Sequence, residues 1–165
     1  LMTNESTDVQ IEVAAFAAKV HELCTFLITI RPLKEVPGRY MGRITYHDAC
    51  SGLRELGVKA APRRLLALVP GVELSEMAEP ETCCGFGGVF AEKYAGISNA
   101  IVTRKADDAN ATRADLLLAG DLGCLMNMAG KLTREGRPLA CRHIAEVLAG
   151  ELADPPIGHR PTDLP

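Results

Sequence analysis

From residue 43 to residue 149 short apolar runs alternate with stretches of helical pattern, and this alternation restricts the available folds more than any other feature. Arg43 to His47 is β-branched and aromatic and reads as a strand ending just before Asp48 and Cys50. Pro62 to Leu68 follows as a helix with proline in its first turn, closed by Pro70-Gly71. Val72 to Met77 reads as the second strand, Ile97 to Arg113 as a long helix and Asp115 to Ala119 as a buried third strand. Leu125 to Glu135 is predicted helical, Pro138 to Arg142 a fourth strand, and Ile144 to Ala149 the last helix. The order β-α-β-α-β-α-β-α predicts an α/β fold, an open parallel sheet of about four strands with helices on both faces. Trp is absent and aromatic residues make up only 4% of the chain, so the core must be aliphatic, which suits such a sheet better than a β-sandwich.

Ahead of this unit, Asp8 to Ile30 is predicted as one long helix. Val9, Ile11, Val13, Phe16, Val20, Leu23 and Phe26/Leu27 recur at roughly helical spacing, and Arg31 to Tyr40 connects onward. The expected division is an N-terminal helix and connector over residues 1–38, an α/β domain over 39–150, and a flexible tail over 151–165. The stretch Asp154 to Pro165 holds four prolines and no apolar period, hence the tail. The chain opens on Leu1 rather than Met, which reads as a piece of a longer protein.

A net charge of −3 provides no electrostatic footprint for nucleic acid or for an anionic membrane. The longest apolar run, Leu23 to Ile30, has eight residues and cannot cross a bilayer. Six cysteines raise the question of disulfides, but Leu1 to Gln10 is polar and acidic, unlike a secretory signal. The cysteines are therefore read as reduced and the setting as cytoplasmic.

Two of them are adjacent, in Cys83-Cys84-Gly85-Phe86-Gly87-Gly88, and the full spacing is Cys50-x32-Cys83-Cys84-x39-Cys124. Neighbouring side chains of an extended chain face opposite ways, so two thiols touch one object only where the backbone wraps around it. Gly85, Gly87 and Gly88 permit that wrapping and a close approach of backbone amides. They lack the order and the Lys-Ser/Thr ending of a phosphate-binding loop. In the predicted topology Cys50 follows the first strand, Cys83 and Cys84 the second, and Cys124 the third. All four thiols then gather at the carboxyl edge of the sheet, where ligands of open α/β folds collect. Four thiolates suit a [4Fe–4S] cluster or a tetrahedral zinc. Inert packing and a vicinal Cys83–Cys84 disulfide acting as a redox switch are the alternatives. His47, three residues before Cys50, is a candidate for orienting and tuning the site, and Asp48 for accepting from loop amides. Cys24 and Cys141 read as small apolar core residues, and His143 as a cap or packing residue.

Several segments resemble the cysteine-rich "CCG" domain of heterodisulfide reductases, glycolate oxidase iron–sulfur proteins and, most closely, the lactate-utilization protein A family. They are Thr45-Tyr46-His47-Asp48-Ala49-Cys50, Leu53 to Gly57, Glu76 to Glu79, Cys83 to Gly88, Cys124-Leu125-Met126 and His143 to Leu148, and the likeness covers roughly residues 39–150. The resemblance implies an iron–sulfur electron-transfer module in a complex oxidising L-lactate or a related 2-hydroxy acid. Cys50, Cys83, Cys84 and Cys124 would be ligands, and other subunits and an N-terminal CCG module would be partners. Where the family ends its pattern in Cys-x-x-Cys, this chain carries Asn127, which counts against the unusual cluster types of heterodisulfide reductase. A zinc-stabilised interaction domain of the same complex is the second expectation, and a thiol–disulfide protein the third.

Overall fold

The computed structural model describes residues 6–159. Its four strands, β1 (Gly42–Tyr46), β2 (Val72–Leu74), β3 (Leu116–Ala119) and β4 (Ala140–His143), form one parallel sheet in the order β2-β1-β3-β4. The register sets Ile44 beside Leu74 on one side and beside Leu116 on the other, and Leu118 beside Arg142. Every residue of β3 is buried, as expected of an interior strand covered on both faces. The helices are α1 (Thr7–Ala17), α2 (Leu23–Thr25), α3 (Ala60–Leu66), α4 (Val89–Lys93), α5 (Ala95–Ala111), α6 (Leu122–Arg134) and α7 (Ile144–Ala149).

Alternation along the strands divides the core in two. Ile44, Tyr46, Leu116 and Leu118 face α2, α3 and α7 and pack with Cys24, Leu65, Leu66, Ile144 and Val147. Leu117 and Ala119 face α5 and α6 and pack with Val102, Ala106, Leu125, Met128 and Leu132. The α6 positions 125, 128, 129 and 132 recur at helical spacing, so one stripe of that helix closes this side.

The sheet matches the expected architecture, with boundaries shifted by two or three residues at most elements. The exceptions have local causes. The helix expected from Asp8 to Ile30 breaks at residues 18–22. There Glu22 turns extended and its carboxylate caps a new start at Thr25 N (2.8 Å), after which Phe26–Ile30 widens into a π turn. No residue of α1 is buried, so its apolar period reflects no contact with the sheet. The second strand stops at Leu74 rather than Met77, because Asp108 of α5 accepts from the amides of Ala78 and Glu79 (2.9 Å each) and draws the chain off the ladder. A π turn at Ser51–Glu55 and the short α4 occupy stretches for which the sequence predicts no regular element. Beyond α7 the chain returns to β4, where Ile157 bridges Cys141 and donates its amide at 2.9 Å, and Arg142 reaches the carbonyls of Leu152 and Asp154. Residues 160–165 of the expected tail lie outside the described part. No helix among the described residues is long and apolar enough to cross a membrane.

Candidate metal centre

From β1 the chain runs outward to β2, then crosses back past β1 to β3 and on to β4, so the topological switch lies between β1 and β3. A crevice at the carboxyl edge is expected there. His47 follows β1 directly, and Cys124 sits in the first turn of α6, placed by Asp121, whose carboxylate accepts from Cys124 N at 2.9 Å. The loop after β2 arches over the end of β1, Asp48 N donating to Pro80 O (3.1 Å), and brings Cys84 to the same spot. One ring nitrogen of His47 and the sulfurs of Cys84 and Cys124 all lie within 4.8 Å of one another, and all three residues are buried.

Neither ring nitrogen of His47 has a hydrogen-bond partner among the described residues, although the residue is only 1% exposed. Leaving a buried imidazole nitrogen unpaired costs about 1–3 kcal/mol, so the ring is placed for something other than packing. Two donors bound to one ion at about 2.0–2.3 Å can be no more than about 4.6 Å apart, so three atoms within 4.8 Å of one another lie near the separation that a single ion requires. Two sulfurs and an imidazole form a donor set suited to zinc or iron, and the residues fit a metal centre.

The Cys84 thiol is lowered to about 5, first by the Cys124 thiol beside it and then, against burial, by the His47 imidazole and the Phe86 amide. The same contact, with burial next, drives Cys124 upward. Burial pushes the thiols of Cys24 and Cys141 up to about 12, with Glu22 adding to the effect at Cys24, which makes both poor ligands.

Of the residues picked out by sequence, Cys84, Cys124 and His47 therefore meet. His47 stands level with the sulfurs rather than behind them. Cys50 is exposed at the start of the π turn, and Cys83 is half-buried with its sulfur accepting from Gly85 N at 3.3 Å; neither belongs to the compact group. Gly85, Gly87 and Gly88 all adopt positive φ (82°, 53° and 56°). At Gly85 a Cβ would also stand 2.7 Å from the Ser98 carbonyl, so only glycine lets the loop lie on α5.

Sequence reading missed the residues that hold this loop. Arg104 pairs with the Glu79 carboxylate at 2.9 Å, and the buried Lys105 ammonium binds the Glu79 carbonyl. Asp48 is fully buried and paired at both oxygens with Arg63 (2.8 and 2.9 Å), which also binds Glu76 and covers the Tyr46 ring. No spacing rule links Arg63 to Asp48, since α3 and the end of β1 meet only in the folded chain. Beside this pair a cavity of about 150 Å³ opens at the sheet edge; Glu22, Asp48, Glu55 and Asp121 line it, with no Lys, Arg or His among the described residues of its wall.

The profile of the CCG cysteine-rich domain matches residues 44–129. Lactate utilization protein A of Geobacillus sp. (strain WCH70) is 43% identical over 134 residues, which is 81% of this chain and 56% of that protein. Lactate utilization protein A of Oceanobacillus iheyensis is 41% identical over 132 residues, 80% of this chain and 54% of that protein. The uncharacterized protein YkgE of Escherichia coli (strain K12) is 42% identical over 135 residues, 82% of this chain and 56% of that protein. The chain thus spans a little over half the length of these curated relatives. No solved structure matches.

Proposed function

The chain belongs to the CCG cysteine-rich domain family, among relatives named lactate utilization protein A, and from that footing we propose that it is an iron–sulfur electron-transfer module serving the oxidation of L-lactate or a related 2-hydroxy acid. The observation that carries the reading is the buried meeting of Cys84, Cys124 and His47 at the topological switch, with Cys50 and Cys83 on the loops that frame it. In this reading Cys50, Cys83, Cys84 and Cys124 are the ligands, with His47 beside them, on the unit spanning residues 39–150. A bound [4Fe–4S] cluster supplies one-electron transfer at a potential set by burial and amide hydrogen bonds. The chain's own part is to bury the Cys84 and Cys124 thiols and to exclude water from them with α5 and α6. The acidic wall of the neighbouring cavity repels a carboxylate substrate, and Arg63, which pairs with Asp48 of that wall, is committed to Asp48 and Glu76. Chemistry on the acid therefore falls to partner subunits or to an N-terminal CCG module, and reduced cysteines fit a cytoplasmic setting.

One observation favours a second reading, a zinc-stabilised interaction domain of the same complex. The compact His/Cys/Cys group is close to the size of a single-ion site and would need only one further ligand. Metal and sulfide content of the chain purified without oxygen, with its visible spectrum, decides between them. About four irons and four sulfides per chain, with a broad band near ~400 nm, support the cluster. One zinc without sulfide replaces it with the structural reading.

A further inference from the structure

Asn127 stands three residues after Cys124 on α6, so the two side chains rise from one face of that helix. Cys124 meets the Cys84 sulfur, while the Asn127 amide donates to the Cys84 carbonyl at 2.9 Å. One turn of α6 thus grips a single residue at its side chain and at its backbone. On the next peptide Ser98, buried in α5, donates its hydroxyl to the Gly85 carbonyl at 2.8 Å. Carbonyl and N–H of one trans peptide point in opposite directions, so holding Gly85 O on Ser98 also fixes the direction of the Phe86 N–H.

We propose that Asn127, assisted by Ser98, is a positioning residue of the metal centre, fixing the Cys84 backbone so that its sulfur stands between His47 and Cys124. The chemistry accounts for the residue type. A carbonyl only accepts, and among side chains of this length an amide donates well where a thiol donates weakly. A cysteine at 127 would forfeit the grip, so this chain has a loop anchor where the resemblance would place a fifth thiolate. The proposal rests on the metal-binding reading but concerns backbone geometry, which can be measured with or without metal.

Cobalt(II) is titrated into the reduced chain under anaerobic conditions, following its thiolate charge-transfer and d–d bands, with circular dichroism as the control for folding. Asn127→Ala and Asn127→Asp are expected to weaken cobalt binding about tenfold or more, on the scale of lost outer partners at metal sites, and to diminish the charge-transfer band. Ser98→Ala should act in the same direction and Ser98→Thr should restore binding. Unchanged affinity and spectrum in Asn127→Ala overturn the proposal. So does tighter binding with a stronger charge-transfer band in Asn127→Cys, which would make position 127 a ligand slot. Should the wild-type chain take up no cobalt, the metal reading fails, and the grip is still read by hydrogen exchange at Gly85 and Phe86. Faster exchange in folded Asn127→Ala then supports it, and equal protection overturns it.

Discussion

The two faces of the sheet begin alike and end differently. Toward α2, α3 and α7 the strands present Ile44, Tyr46, Leu116 and Leu118, and the layer stays apolar until Arg63, Asp48 and Glu76 close it with ion pairs at the edge. Toward α5 and α6 they present Leu117 and Ala119, and that layer ends in two adjoining thiols and the His47 imidazole, whose ring nitrogens have no hydrogen-bond partner among the described residues. The charged end has each oxygen of Asp48 paired, which makes it rigid and chemically quiet. The thiol end leaves donors open in a buried space, which makes it a place for a ligand. A step of one residue at the end of β1, from Tyr46 to His47, moves a side chain from one regime to the other.

Metal content should separate the faces most sharply. Cys84→Ser is expected to abolish binding of iron or zinc, while Cys24→Ser, buried on the other face, should retain it. Equal loss from both, by elemental analysis of anaerobically purified protein, would break the contrast.

On the ion-paired face, Arg63→Met leaves the Asp48 carboxylate buried without its partner. Removing one member of a buried pair costs about 3–5 kcal/mol, to be read from urea unfolding at neutral pH. Leu117→Ala and Leu118→Ala then compare packing across the two faces. Both side chains are fully buried on adjacent residues, so each should cost about 2–5 kcal/mol in the same assay. A much smaller loss at Leu117 would mean that the thiol face is loosely packed.

In the metal-free chain, a titration of thiolate absorbance should show the first thiolate per chain forming well below the ordinary thiol value of 9.0, because the Cys124 thiol and, after it, the His47 imidazole lower Cys84. The folded value lies below the ordinary thiol value of 9.0, so the Cys84 thiolate stabilises the fold above that value, and the contribution is lost as pH falls through about 5. Cys124→Ala removes the largest cause and should move the midpoint upward; an unmoved midpoint would assign the shift to His47 instead. The smallest effect is expected at the β4–α7 junction, where His143 accepts from Ala145 N (3.2 Å) and Glu146 from His143 N (2.7 Å). His143→Ala should cost about 1 kcal/mol, the usual value of a helix cap, with metal content unchanged.

Most of the scaffold is legible in the chain because its signals are local. Leu116 to Ala119 is apolar throughout and so reads as an interior strand. The α6 stripe of Leu125, Met128 and Leu132 needs only helical periodicity to be seen, and the helix expected at Ile144–Ala149 has those bounds in the structure. The cysteines on loops after successive strands point to the carboxyl edge for the same reason. Local signals mislead where a distant partner overrides them. The period from Val9 to Leu27 suggests one helix, but Glu22 caps a new one, and Asp108 shortens the second strand through two amides.

What the sequence determined by itself was the α/β alternation, the edge at which chemistry would gather, and the residue types able to carry it. Tertiary structure alone decided that Cys84, Cys124 and His47 form the compact group while Cys50 and Cys83 frame it, that Arg63 neutralises Asp48, and that Asn127 holds a carbonyl. Periodicity records which face of an element is buried. The approach of two atoms from elements more than 40 positions apart, as with Asn127 and Cys84, depends on how the helices seat on the sheet, and no local pattern encodes it.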